Sequence, residues 1–244
     1  MDDAGGEGAL LTATVRTVAQ TGSTNADLAE LARGGAGEGL WLRAERQTAG
    51  KGRQGRAWVS PAGNLYASTL VRLRPSDPSP ATLALVAAVA LEETVAVFGV
   101  HATLKWPNDL LVDGAKLSGI LLERVEDAVI IGFGVNLAEA PDGLDRAATS
   151  LTAHGVTPDP QLFAETLAES FERWLARWRG EGLATVRDRW IARAHPLGTA
   201  LTARLADGSS LDGLFDGLDA GGALMLRLAD GSVRVIHAAD VFLL

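Results

Sequence analysis

The chain has 244 residues, 47 % hydrophobic and 21 % charged, which is the balance of a soluble globular protein with one generous domain or one large and one small. A net charge of −8 argues against the broad basic face that non-specific nucleic-acid binding needs, and the absence of cysteine excludes disulfide scaffolds, thiolate zinc sites and cysteine nucleophiles. The four histidines show no metal-ligand spacing, no apolar run approaches the ~20 residues of a membrane span, and the acidic, Gly-rich start has no signal-peptide plan, so a cytosolic protein is expected.

Residues 1–10 are expected to be disordered, and Thr12 to Val18 alternates as an edge strand. Ser23-Thr24-Asn25 offers three helix N-caps, with Asp27 three after Thr24 in capping-box style and an apolar face of Leu28, Leu31 and Ala32. Leu40 to Ala44 reads as a strand, and Leu65 to Leu73 alternates as a half-buried one. Ala81 to Phe98 has the length and alanine content of a buried helix. Thr103 to Trp106 is a short strand, Leu110 to Arg124 a hairpin turning at Asp113-Gly114, and Val129 to Val135 another strand. The stripe Leu162, Phe163, Leu167, Phe171, Trp174, Leu175 and Trp178 puts a helix over Pro160 to Trp178 with its aromatics in the core. A second helix covers Leu183 to Ala194, and His195 to Gly198 reads as a linker. From Thr199, β-prone runs separated by Asp207-Gly208, Gly221-Gly222 and Asp230-Gly231 read as a small hairpin-built, SH3-like unit that should pack on the larger domain. Strands and helices mix without regular βα alternation, so the fold class is α+β, with residues 11–195 as the main domain and 196–244 as the small one.

Against the acidic background, residues 43–58 carry Arg43, Arg46, Lys51, Arg53 and Arg56 with Glu45 as the only acid. Gly50, Gly52 and Gly55 free the main chain to approach a ligand, so the segment suits a phosphate or carboxylate. A Gly/Arg loop taken alone is a solvated surface loop. It is not a Walker A loop, because Gly50-Lys51 is followed by Gly52-Arg53 rather than Ser or Thr.

Three further segments change that reading: Ser23-Thr24-Asn25, Lys105-Trp106-Pro107-Asn108-Asp109 with Lys116-Leu117-Ser118-Gly119-Ile120-Leu121, and Gly132-Phe133-Gly134-Val135-Asn136. In order and spacing, from about Thr21 to Asn136, they resemble the biotin–protein ligases, which adenylate biotin and pass it to a lysine of a carboxylase carrier domain. The resemblance implies a mixed-sheet catalytic domain with an SH3-like β-barrel behind it, biotin and ATP as substrates, Mg²⁺ arriving with ATP, and a biotin carboxyl carrier domain as partner. It also implies no DNA and no membrane partner, and a monomer or weak homodimer. It places Ser23, Thr24, Asn25 and Gln47 against the ureido ring, with Lys51, Gly52 and Arg53 over the carboxylate end, Trp58 stacked on adenine, and Gly50, Arg56, Asn108, Lys116 and Asn136 around the nucleotide.

An anionic nucleophile attacking a phosphate needs cations, and Lys51, Arg53, Arg56, Lys105 and Lys116 are the available set. Lys105 is expected between the biotin carboxylate and the α-phosphorus, with Arg53 as its catalytic companion. Asn108 and Asp109 either position Mg²⁺, with Asp109 as the ligand, or receive a proton from the acceptor lysine. Lys51 stands where many family members have arginine, which keeps the charge and loses the planar fork, and Gln54 stands where some have another cation. Only 22 residues precede Ser23, too few for a helix-turn-helix, so a ligase without the repressor domain is expected. A lipoate or octanoate ligase is the nearest alternative. A non-catalytic biotin sensor and a DNA-binding regulator are the others, and the retained cations favour catalysis.

Overall fold

The computed structural model describes residues 14–141 and 147–244. The disorder expected for residues 1–10 and the start of the strand expected from Thr12 lie outside these residues. Seven strands form one sheet: β1 (Val15–Thr21), β2 (Trp41–Gln47), β3 (Leu65–Arg72), β4 (Thr103–Lys105), β5 (Asp109–Val112), β6 (Ala115–Val125) and β7 (Ala128–Val135), in the order β1-β2-β3-β7-β6-β5-β4. Only β1 and β2 run parallel. The β5–β6 turn is made by Asp113 and Gly114, both at positive φ, as its Asp-Gly sequence requires.

Helix α1 (Thr24–Arg33) covers one face of the sheet, packing Leu28 and Ala32 on Leu42, Leu70, Ala128 and Ile130. Helices α2 (Leu83–Val97), α3 (Pro160–Gly180) and α4 (Leu183–Arg193) belong to the larger core on the other side, with Trp41 stacked on Phe133 at 5.6 Å and edge-on to Phe171 at 5.8 Å. This double cover corrects the half-buried reading of β3. Its apolar set Leu65, Ala67 and Val71 faces the large core, while Tyr66 and Ser68 on the opposite face are buried as well. Alternation marks two chemically distinct faces and does not say that the polar one meets water.

Three other expectations change. Ser23 is the N-cap of α1, with no side-chain capping bond, and Thr24 lies inside the helix. The Thr24 hydroxyl is drawn instead to Ser68 at 2.7 Å, and Asp27 accepts from the Thr21 hydroxyl at 2.6 Å, so no capping box forms. On α3, Asp159 caps the helix by accepting from Gln161 and Leu162 N–H, while Leu162 itself is 54 % exposed and leaves the aromatic stripe. The window Pro80–Val97, with mean hydropathy 1.6, is long and apolar enough to cross a membrane, contrary to the reading that no run approaches that length. It is mostly buried here, between the sheet and α3 and α4, as a core helix.

The C-terminal SH3-like unit has five antiparallel strands, β8 (Ala200–Arg204), β9 (Ser210–Leu218), β10 (Leu224–Arg227), β11 (Val233–Ile236) and β12 (Asp240–Leu243), in the order β11-β10-β9-β8-β12. Its apolar residues Leu201, Phe215, Leu224 and Val241 join the same core as α2, and Phe215 meets Trp190 of α4 edge-on at 6.4 Å. So small a sheet gains its burial from the larger domain. The docking also brings β12 up against the sheet end that carries Lys105, whose ammonium donates to the Val241 carbonyl at 3.0 Å.

Candidate active site

The site begins as a gap in the side-chain layer. Register pairs Gly119 of β6 with Gly134 of β7, and Gly132 of β7 with Ser68 of β3, so three glycines stand on the α1 side of the sheet. Above them opens a cavity of about 460 Å³, walled by the start of α1, the basic segment after β2, and Arg204, Asp240 and Phe242 of the C-terminal unit. The glycines are needed: a Cβ at Gly134 would stand 2.5 Å from the Trp58 ring, one at Gly119 3.2 Å from it, and one at Gly132 would strike Asn25 Oδ1.

One end of the cavity is neutral and hydrogen-bonding. Ser23, Thr24 and Asn25 are buried there at the start of α1. Gln47 Oε1 accepts from Thr24 N–H at 2.9 Å, and Gln47 Nε2 donates to Ser60 at 3.3 Å. Ser68 donates to Asn25 Oδ1 at 2.6 Å, and Asn25 Nδ2 donates to Glu123 at 2.7 Å.

The other end is cationic. The segment after β2 folds back as a small hairpin: Trp58 N–H donates to Gly50 O at 2.9 Å, Lys51 bridges Ala57, and Gly52 N–H donates to Arg56 O at 2.7 Å. Its tip uses left-handed backbone at Gln54 and Gly55. A Cβ at Gly50 would lie 2.6 Å from Trp58 O, so glycine there lets the hairpin close. Arg53 donates to Asn108 Oδ1 at 3.2 Å and to Ala239 O at 3.3 Å, and Arg56 pairs with Asp240 at 3.3 Å. Lys116 sits 5.6 Å over the Trp58 ring and 2.6 Å from Asp109 Oδ1, while Lys105 lies 3.3 Å from the other oxygen of that carboxylate. Burial alone would raise the Asp109 pKa, but the two lysines outweigh it and hold the carboxyl below its ordinary value.

With an ammonium on each oxygen, Asp109 does not fit a magnesium ligand, and among the described residues no three acidic or histidine side chains are grouped to hold a metal. The arrangement suits one elongated ligand with a polar neutral head and an anionic tail.

Comparisons with known proteins decide the family. The model of the biotin/lipoate A/B protein ligase family matches residues 19–136, and that of the biotin protein ligase C-terminal domain matches 197–244. A biotin–[acetyl-CoA-carboxylase] ligase of Paracoccus denitrificans is 43 % identical over 243 residues, covering 92 % of this chain and 98 % of the relative. This chain belongs to the biotin–protein ligases. A ligase of the same name from Mycobacterium tuberculosis is 39 % identical, covering 92 % of this chain and 86 % of its own. The solved biotin protein ligase of Aquifex aeolicus in complex with biotin and ATP shares the fold, with a TM-score of 0.86 over 95 % of this chain and 99 % of that one at 24 % identity.

Of the residues named from this ligase's sequence, Ser23, Thr24, Asn25, Gln47, Lys51, Gly52, Arg53, Arg56, Trp58, Asn108, Asp109 and Lys116 line the one cavity. Three do not. Gly50 shapes the hairpin from behind, and Asn136 donates to Thr149 O at 3.1 Å beyond the end of β7. Lys105 is buried and faces a second cavity of about 170 Å³, which shares Lys116 and Phe242 with the first. Sequence reasoning gave no role to Gly119, Gly132 or Gly134, although the motifs contain them, and it missed Ser68, Glu123, Arg204, Asp240 and Phe242 altogether. A cue existed for the glycines alone, since alternate Gly in a strand marks a close approach.

Proposed function

We propose that this chain activates biotin with ATP and passes it to a lysine of a biotin carboxyl carrier domain. The observation that carries the reading is the polarity of the cavity: uncharged hydrogen-bonding groups at one end and Lys51, Arg53, Arg56 and Lys116 at the other. A ureido ring has two donors and one acceptor, which suits Ser23, Thr24, Asn25 and Gln47. A carboxylate and a triphosphate suit the cations. The carboxylate oxygen attacks the α-phosphorus, the bond from that phosphorus to the bridging oxygen breaks, and pyrophosphate leaves with biotinyl-5′-AMP behind. The carrier amine then attacks the acyl carbon and AMP departs.

The geometry favours Lys116 over Lys105 for the place between the two anions, because Lys116 lines the cavity and Lys105 is turned to Val241 and Asp109. Asp109, held ionised by both lysines, orients them and is a weak base for the acceptor amine. Magnesium is part of the nucleotide substrate, held by its phosphates. Trp58 stacks on adenine once the indole lifts from the glycines. The net charge of −8 supports action without nucleic acid.

The test is incubation with ATP, biotin and a carrier domain, read by intact mass. A single biotinyl increment on one carrier lysine is expected. An increment with lipoate or octanoate in place of biotin, and none with biotin, overturns the reading.

A further inference from the structure

The side chains at the neutral end of the cavity are not independent, because they form one chain of hydrogen bonds that ends on a residue outside the cavity wall. Asn25 crosses β7 at Gly132, where no Cβ blocks it, and so joins Ser68 of β3 to Glu123 of β6. A carboxylate only accepts. Asn25 must therefore turn its Nδ2 to Glu123 at 2.7 Å, which leaves its Oδ1 for the Ser68 hydroxyl at 2.6 Å. Ser68 has a single hydrogen, and it is committed to Asn25. At the 2.7 Å contact between Ser68 and Thr24, Thr24 is then the donor. The Thr24 hydroxyl also lies 3.2 Å from Gln47 Oε1, so its single hydrogen is held between Ser68 and Gln47 and it keeps only lone pairs for the cavity, beside a Gln47 Oε1 that already accepts from Thr24 N–H.

We propose that Glu123 is a positioning residue for ligand specificity: through Asn25 and Ser68 it fixes the direction of the chain, so that this end of the cavity offers acceptors to the ring N–H groups of the ligand. The inference rests on the biotin reading above and deepens it. A ring without N–H donors, such as a dithiolane, leaves those acceptors unpaired, and an unpaired buried polar group is what makes a site reject a near-isostere.

Glu123→Gln keeps the size of the side chain but can present an NH₂ to Asn25, which lets the amide flip and the chain reverse. Isothermal titration should show biotin binding about tenfold weaker, the scale of one hydrogen bond to a charged group. In steady-state assays the KM for ATP and kcat should stay within about twofold. Ser68→Ala cuts the same chain, so E123Q/S68A should lose no more than either single variant. Unchanged biotin binding in E123Q, equal losses for biotin and ATP, or additive losses in E123Q/S68A each overturn the inference. They leave the biotin reading standing if the wild-type protein binds biotin in the same titrations. Absence of biotin binding by the wild type overturns both.

Discussion

Asp240 holds the cationic end of the cavity closed on itself, and its removal has a sign that can be worked out. Its carboxylate, whose side chain is 15 % exposed, accepts from Arg56 Nη2 at 3.3 Å and lies 3.7 Å from Arg53 Nη1. A phosphate entering there must take these guanidinium groups from Asp240 or share them with it. Half-exposed pairs of this kind are worth about 0.2–1 kcal/mol each, so the two together oppose an incoming anion by at most about 1–2 kcal/mol. Asp240→Asn removes that competition while the Arg53 bond to Ala239 O and the Lys105 bond to Val241 O still hold the C-terminal unit in place. The expected outcome is pyrophosphate and ATP binding tighter by roughly 3–10-fold, since each 1.4 kcal/mol is about tenfold. Isothermal titration of wild type and Asp240→Asn at low and moderate salt measures it, and the gain should shrink as salt screens the pairs. Weaker binding in the variant would mean that Asp240 preorganises the arginines rather than competing for them, and the reasoning would fail.

Lys116→Ala should slow biotin-dependent ATP–pyrophosphate exchange by roughly 10²–10³, the usual cost of losing a preorganised charge, while Lys105→Ala should cost less than about tenfold. The reverse order would return Lys105 to the junction of the two anions. Gly134→Ala puts a Cβ 2.5 Å from the Trp58 ring, so the indole must move by about 1 Å to reach an ordinary contact near ~3.5 Å. If that ring stacks on adenine, ATP binding weakens by up to about 100-fold while the melting temperature barely shifts, and calorimetry reads both. Asp109 has a folded-state pKa below the 3.8 of an ordinary Asp, so between those values the unfolded chain binds more protons and stability rises with pH. The contribution is full above about pH 4 and fades as pH falls through the folded value. Asp109→Asn should therefore be less stable at neutral pH and lose less on acidification below about pH 4, and parallel urea-unfolding curves for the two proteins would contradict this.

Local chemistry made much of the fold legible. The Asp113-Gly114 turn is a backbone preference, and the buried Phe163, Phe171, Trp174 and Trp178 follow helical spacing, so both could be read without knowing what surrounds them. What failed depended on distant partners. Tyr66 and Ser68 alternate with apolar neighbours just as solvent-facing residues do, yet both are buried, Ser68 against Thr24 and Asn25 of α1 and Tyr66 with its hydroxyl on Pro61 O. Thr24 looks like a helix cap until Ser68, 44 residues away, takes its hydroxyl.

The same division runs through the site. Gly50, Lys51, Arg53 and Arg56 could be read because anion binding asks for positive charge and bare backbone within one short segment. Lys105 could be recognised as belonging to a motif, but its direction could not be read: strand position puts its side chain on a face, and the docked β12 supplies the carbonyl that turns it away from the main cavity. Asp240 and Phe242 sit in a strand with no feature of its own, so their place in the wall follows from docking alone. Glu123 is the extreme case. On a strand of alternating pattern a glutamate reads as solvated surface, and its significance rests on a missing atom at Gly132, which lets Asn25 reach across β7 to it. A residue that acts by fixing the direction of its neighbours' hydrogen bonds leaves no spacing or composition to find, because its effect lies in which group donates.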